Sequence, residues 1–184
     1  MLLIYREMNF EISGLEMGLN YNDYKEFLEL FLAKIESHFA PARIMSVALF
    51  GSVSRGEANR FSDIDLLIVH GNTTCDPIKK LVDVLLEIRK DETYQSLNEK
   101  GLYPEPSCIF MTPEELSKRP LILLDIMDHG ILLKDMDRFL AGTMRILREK
   151  LDRMGAYKIV LKDGRWAWDL KPDLRIGEVF EITL

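Results

Sequence analysis

The segment 49–69, which reads LFGSVSRGEANRFSDIDLLIV, most constrains how this chain can fold. An apolar run ends at Gly51-Ser52, and a second apolar run begins around Asp63-Ile64-Asp65. Side chains two apart on a strand point to the same face, so the two aspartates should lie side by side, with Cα atoms about 6.6 Å apart. Two ionised carboxylates at that separation repel by about 3 kcal/mol at an effective dielectric constant of about 20. The pair therefore predicts a site for Mg²⁺ or Mn²⁺, since Mg²⁺ is commonly bound by one or two carboxylates plus substrate phosphates.

Gly51 and Ser52 supply groups that can hold a phosphate. A glycine lets the backbone approach an anion closely, and the serine hydroxyl and the following N–H groups are donors. A short helix over 53–56 would add the attraction of its N-terminal amides. Phosphate donors at the end of one strand and acids at the start of the next predict phosphoryl or nucleotidyl transfer, in which catalysis is mostly positioning and charge neutralisation.

These residues resemble the signature of the DNA polymerase beta-like nucleotidyltransferases, and more narrowly of the small prokaryotic minimal nucleotidyltransferases. Gly51-Ser52 is followed after ten residues by Asp63-x-Asp65, and Arg55-Gly56 and Ser62 also match the pattern. The motif covers residues 44–70 of a domain expected to span 1–134.

The resemblance implies transfer of a nucleoside monophosphate from ATP or another nucleoside triphosphate to an acceptor hydroxyl, with release of pyrophosphate. Asp63 and Asp65 would hold the metal ions, Gly51 and Ser52 would grip the triphosphate, and Arg55 would assist them. The implied acceptors range from aminoglycosides to proteins, including a HEPN-type partner in toxin–antitoxin pairs. The chain has no R-x4–6-H motif of such a toxin, so we expect at most the antitoxin role.

A third carboxylate normally comes from a later strand in proteins of this kind. The candidate strand here, residues 107–111, contains no acid, and Glu105 just before it is the nearby candidate. Glu105 is therefore predicted to complete the metal site or to orient the acceptor. If no third acid serves, a rival interpretation is a degenerate protein that binds the nucleotide without turnover.

Hydrophobic periodicity predicts alternating helices and strands, and hence an α/β (α+β) fold with a mixed sheet and flanking helices. The expected helices include 22–39 and 77–90, with strands at 44–50, around the acids, at 107–111 and at 131–133. We expect the glycine loop and the acids to meet at one end of this sheet.

A C-terminal extension, 135–184, should contain a helix over 136–154 and a β-hairpin. Asp163-Gly164 is a typical two-residue turn, which would pair Ile159 with Trp168, Leu161 with Trp166 and Lys158 with Asp169. The apolar face of the hairpin must pack on the body of the protein or on a second subunit, as in a homodimer.

Charge and hydropathy narrow the function classes. Residues 134–175 carry 11 Lys and Arg against 7 Asp and Glu, although the whole chain has a net charge of −6. This basic unit, with its two tryptophans, leaves an RNA-binding module as an alternative function. No apolar run approaches the ~20 residues that span a bilayer, and the first residues lack the features of a signal peptide, so we expect a cytoplasmic protein.

Overall fold

The computed structural model describes residues 18–74, 76–118, 121–162 and 166–182. The N-terminal segment and the Asp163-Gly164 turn, both used in the sequence predictions, lie outside these residues. In the part of the chain that is described, no helix is both long enough and apolar enough to cross a bilayer.

Six strands and seven helices form the described part of the chain, with short 3-10 turns at Tyr21–Tyr24 and Met136–Arg138. The strands are β1 (Ile44–Phe50), β2 (Ile64–His70), β3 (Pro106–Met111), β4 (Ile131–Asp135), β5 (Tyr157–Val160) and β6 (Trp166–Asp169). The helices are α1 (Lys25–Phe39), α2 (Gly51–Arg55), α3 (Pro77–Ile88), α4 (Glu92–Glu99), α5 (Pro113–Ser117), α6 (Ile122–His129) and α7 (Phe139–Arg153).

Local signals account for many of these boundaries. Asp76 caps α3 through a hydrogen bond to the Ile78 amide, and proline occupies the first turn. Thr112 and Glu115 form a reciprocal capping box at the start of α5. Such caps satisfy amides that have no partner within the helix, so they fix where a helix begins.

The main sheet has four strands in the order β3-β2-β1-β4. β1 is antiparallel to both β2 and β4, whereas β2 and β3 are parallel. The predicted mixed sheet with flanking helices is therefore confirmed. Because β1 and β2 are antiparallel neighbours, the end of β1 lies beside the start of β2, with Phe50 opposite Asp65.

Each face of the sheet is covered by its own hydrophobic core. Helices α1, α3 and α4 pack on one face around Phe27, Phe31 and Ile88. The other face, including Ala48, Leu67 and Val69, packs against α6, α7 and the hairpin. The C-terminal extension thus shares a core with the sheet, although a domain boundary near residue 134 remains a prediction.

The predicted hairpin exists, but its predicted register is wrong by one residue. Lys158 lies opposite Trp168, Ile159 opposite Ala167, and Val160 opposite Trp166. This register turns Trp168 toward the second core and places the Lys158 ammonium 4.3 Å from the Trp166 ring centroid. Lys158 also forms an ion pair of 2.8 Å with Asp128 of α6. The hairpin therefore has a register different from the one that a two-residue turn favours. In the observed register, the hairpin makes tertiary contacts with α6 and with the core on the sheet.

The packing of the hairpin bears on two of the sequence hypotheses. Its inward face rests on the body of the protein, so a second subunit is not needed to cover it. Trp168 is partly buried and packs against the second core, and Lys158 lies over the Trp166 ring, so both rings are already engaged in contacts within the protein. The structure does not favour the RNA-binding alternative.

Candidate functional site

Gly51 and Asp65 lie close together at the junction of β1, α2 and β2. Gly51 has φ +72°, a left-handed conformation that side chains rarely adopt. A Cβ atom built on Gly51 would lie 2.1 Å from Asp65 Oδ2. Only glycine fits at this position without a shift, because β1 ends directly opposite Asp65 and the chain turns at once into α2. The sequence thus places the backbone of the Gly-Ser bend against the carboxylate of β2.

Asp65 is half-buried, whereas Asp63 lies exposed one residue before β2 begins. Burial raises the pKa of Asp65, and the negative charges of Asp63 and Asp125 raise it further. A hydrogen bond from the Ser107 side chain and the positive charge of Arg55 lower the pKa of Asp65, but the balance stays upward. Among the described residues, no lysine or arginine forms an ion pair with either aspartate. The two acids predicted from the sequence therefore lie near each other and repel.

Ser107 occupies the β3 position beside Asp65, so the strand next to β2 presents a hydroxyl there and not a carboxylate. Glu105 lies just before β3, and its carbonyl accepts a hydrogen bond from the Ile64 amide. Its carboxylate is turned to Arg89, with Nη2 at 3.1 and 3.2 Å from the two oxygens. The backbone of Glu105 thus borders the site while its side chain is engaged outside it.

Arg55 lies at the end of α2, on the same side of the sheet end as Asp65. Its Nε is 2.8 Å from Glu57 Oε2, and its Nη1 is 3.6 Å from Asp125 Oδ1. Asp125 comes from α6, some seventy residues after Arg55 in the chain, and the sequence predictions did not include it. The available signal was a single acid in the otherwise apolar run Leu121–Met127.

The carboxylates of Asp63 and Asp65 are suited to bind a divalent cation that arrives together with a nucleotide. Within the described ranges, no group of three or more His, Cys, Asp or Glu side chains is arranged to hold a metal ion. Two neighbouring carboxylates are nonetheless the protein ligands that Mg²⁺ commonly takes when substrate phosphates and water complete its shell. The pair at Asp63 and Asp65 is therefore suited to a substrate-borne metal rather than to a permanent one.

The ionised Asp65 carboxylate is disfavoured by burial and by two nearby acids, so we predict that Asp65→Asn stabilises the metal-free protein. The raised pKa means that ionised Asp65 opposes folding at neutral pH. We expect a gain in stability near pH 7, because the change removes the cost of burying the charge and its repulsion by Asp63 and Asp125. The gain should shrink as the pH falls through the raised pKa and vanish below the ordinary value, where Asp65 is protonated in both states. Thermal melts with EDTA from about pH 3 to pH 8 test this expectation, and a gain that is constant over that range would contradict it.

Comparison with known proteins identifies the class. The nucleotidyltransferase domain family model matches residues 28–133, which include β1, β2, β3, the first part of β4, the Gly-Ser bend and both aspartates. The chain belongs to this family, and by class it is a nucleotidyltransferase. It is 27% identical over 148 residues to a protein of Methanocaldococcus jannaschii named "Putative protein adenylyltransferase MJ1305", a match that covers 78% of this chain and 91% of the relative.

Solved structures of more distant proteins are also similar. One is a toxin–antitoxin with AMP-PNP, at a TM-score of 0.40 and 18% identity over 74% of this chain and 94% of that one. Another is the toxin–antitoxin MntA-HepT, at a TM-score of 0.36 and 13% identity over 74% and 93%. Similarity at this level says nothing about the ligands or partners of the present protein.

Proposed function

We propose that this protein transfers AMP from ATP to a hydroxyl group of an acceptor protein and releases pyrophosphate. The observation that carries the proposal is the fit of the Gly51 backbone against Asp65, with Asp63 beside it, in a chain of the nucleotidyltransferase family. The adenylyl group and the protein acceptor are supported by the name of the Methanocaldococcus relative.

In the proposed reaction, different residues of the site bind the phosphates and hold the metal ion. The Gly51 and Ser52 amides and the Ser52 hydroxyl bind phosphate oxygens, and Arg55 adds a positive charge. Asp63 and Asp65 would hold Mg²⁺, which supplies charge neutralisation on the phosphates. The acceptor oxygen forms a bond to the α-phosphorus as the bond between that phosphorus and the bridging oxygen breaks. Pyrophosphate carries away the electron pair, and the hydroxyl proton passes to a carboxylate of the site or to water.

Glu105 remains the predicted third acid. To act at the site it must leave Arg89, which now holds its carboxylate. We expect Glu105→Gln to slow transfer and Arg89→Gln, which frees Glu105, to leave transfer intact. Equal losses in both variants would assign Glu105 to its pair with Arg89 instead.

Two labelled nucleotides test the reaction. The full chain, Mg²⁺ and cell lysate are incubated with ATP carrying its label in the α-phosphate, and in parallel with ATP carrying it in the γ-phosphate. The proposal expects the α-label, and not the γ-label, in a species that proteinase destroys and nuclease spares. A γ-labelled product would indicate a kinase. An α-label lost to nuclease would contradict the protein acceptor.

Nucleotide binding without turnover is the second candidate, because the described residues include no group of three His, Cys, Asp or Glu side chains that could hold a metal ion. Mg²⁺-dependent ATP binding without pyrophosphate release would select it. A HEPN-type protein, which the sequence resemblance implies as a partner, serves as a defined acceptor in the same assay.

A further inference from the structure

Arg55 is held by two acids that come from different parts of the chain. Its side chain is 24% exposed, and its guanidinium has Glu57 on the Nε side and Asp125 on the Nη1 side. Among the described residues, no third acid lies within ion-pair distance of Arg55. A guanidinium is planar with five N–H donors in a fixed fork, so contacts on two sides fix the direction in which the remaining donors point.

Asp125 is an unusual partner for that fork. It lies on α6, whose neighbouring residues Leu124 and Ile126 are buried, and α6 packs against α2 and β1. Its Oδ1 is sealed from solvent, yet it accepts no hydrogen bond from the described residues. The 3.6 Å to Arg55 Nη1 is longer than the 2.7–2.9 Å of a charge-assisted hydrogen bond. A sealed carboxylate oxygen with only a long contact to a cation calls for an explanation beyond packing.

We infer that Asp125 is a positioning residue for nucleotide binding: it orients Arg55 so that the free edge of the guanidinium meets the triphosphate beside Asp65. This inference rests on the proposed function, since it presumes that a nucleoside triphosphate occupies the site. Asp125 itself contacts neither the phosphates nor the metal. Asp125 increases the affinity for the nucleotide only by orienting Arg55, so its effect on affinity requires both side chains.

A double-mutant cycle on the full chain measures that dependence through the affinity for Mg²⁺-ATP, by calorimetry. Arg55→Gln should weaken binding roughly 30-fold, as expected for the loss of a charged hydrogen-bond donor. Asp125→Asn should weaken binding roughly tenfold, as for an outer partner that orients a ligand-binding group. The double variant should bind no more weakly than Arg55→Gln alone, because Asp125 has nothing left to orient.

Two further variants separate orientation from folding. Asp128→Asn changes the other acid of α6, which pairs with Lys158 away from the site, so it should lower the melting temperature and leave ATP affinity unchanged. Asp125→Glu keeps the charge on a longer side chain that spans the gap to Arg55, so it should restore most of the affinity. Asp125→Asn should melt no lower than the parent, because it removes a poorly paired charge.

The outcomes distinguish the inference from the function beneath it. If the parent does not bind Mg²⁺-ATP, the proposed function fails and the inference fails with it. If the parent binds but Asp125→Asn binds equally well, the inference alone is overturned. Losses that add in the double variant would likewise overturn it, since Asp125 would then act independently of Arg55.

Discussion

Replacing Asp63 or Asp65 with asparagine is expected to reduce nucleotide transfer by at least about a hundredfold while the protein stays folded. Each change removes one of the two carboxylates proposed to hold the metal. Neither change should disturb the fold. Asp63 is exposed, and the ionised form of Asp65 is disfavoured by burial and by its acidic neighbours. The initial rate of pyrophosphate release from Mg²⁺-ATP in the presence of the acceptor measures the effect.

Asp83 provides the matched control for this pair. It is an exposed aspartate on α3, on the opposite side of the sheet from α6. We expect Asp83→Asn to transfer at the parent rate. If Asp63→Asn or Asp65→Asn transferred nucleotide at that same rate, the replaced carboxylate would not take part in the reaction.

Gly51→Ala is expected both to destabilise the protein and to abolish nucleotide binding. The new Cβ would lie 2.1 Å from Asp65 Oδ2, and the residue would remain at φ +72°. The left-handed conformation costs about 1–2 kcal/mol, and forcing the contact apart costs a further 1–3 kcal/mol. We therefore expect a loss of about 2–5 kcal/mol, measured by urea denaturation, and no measurable affinity for Mg²⁺-ATP.

Gly155→Ala separates the cost of the left-handed backbone conformation from the cost of the steric contact with Asp65. Gly155 has φ +69°, but a Cβ atom there would meet nothing within 4 Å. It should therefore show only the conformational cost of about 1–2 kcal/mol and keep the parent affinity. If Gly51→Ala lost no more stability than Gly155→Ala and still bound nucleotide, the close fit of the bend against Asp65 would not be part of the site.

The two aspartates also illustrate a conflict between stability and function. Asp65→Asn is expected to be more stable than the parent in the absence of metal and inactive in transfer. If Asp65 holds a metal ion as proposed, the charge that opposes folding is the same charge that binds the cation, and such conflicts are typical of functional sites.

Local sequence signals were sufficient for most of the elements. The strand predicted at 44–50 matches β1, and the acids predicted side by side do lie near each other. These predictions succeed because they depend on periodicity, capping and the direction of alternate side chains, all of which act over a few residues. The antiparallel pairing of β1 with β2 then brings Gly51 to Asp65, as the sequence analysis expected.

Contacts between distant residues could not be read in this way. Asp125 was not among the predicted site residues, and only the packing of α6 on α2 places it beside Arg55. Glu105 was chosen by its position before β3, but Arg89 captures its side chain. The hairpin register followed the turn in the prediction, whereas the structure aligns Trp168 with the core and Lys158 with Asp128.

The sequence by itself determined the class of chemistry, the strands that bear it and the two acids with their glycine bend, since these lie within one short segment. Only the tertiary structure decided which charges surround the acids, which face the hairpin buries and which acids lie beside Arg55. The physical reason is that electrostatic and packing energies depend on distance in space, and residues far apart in the chain become neighbours only when the sheet and helices assemble.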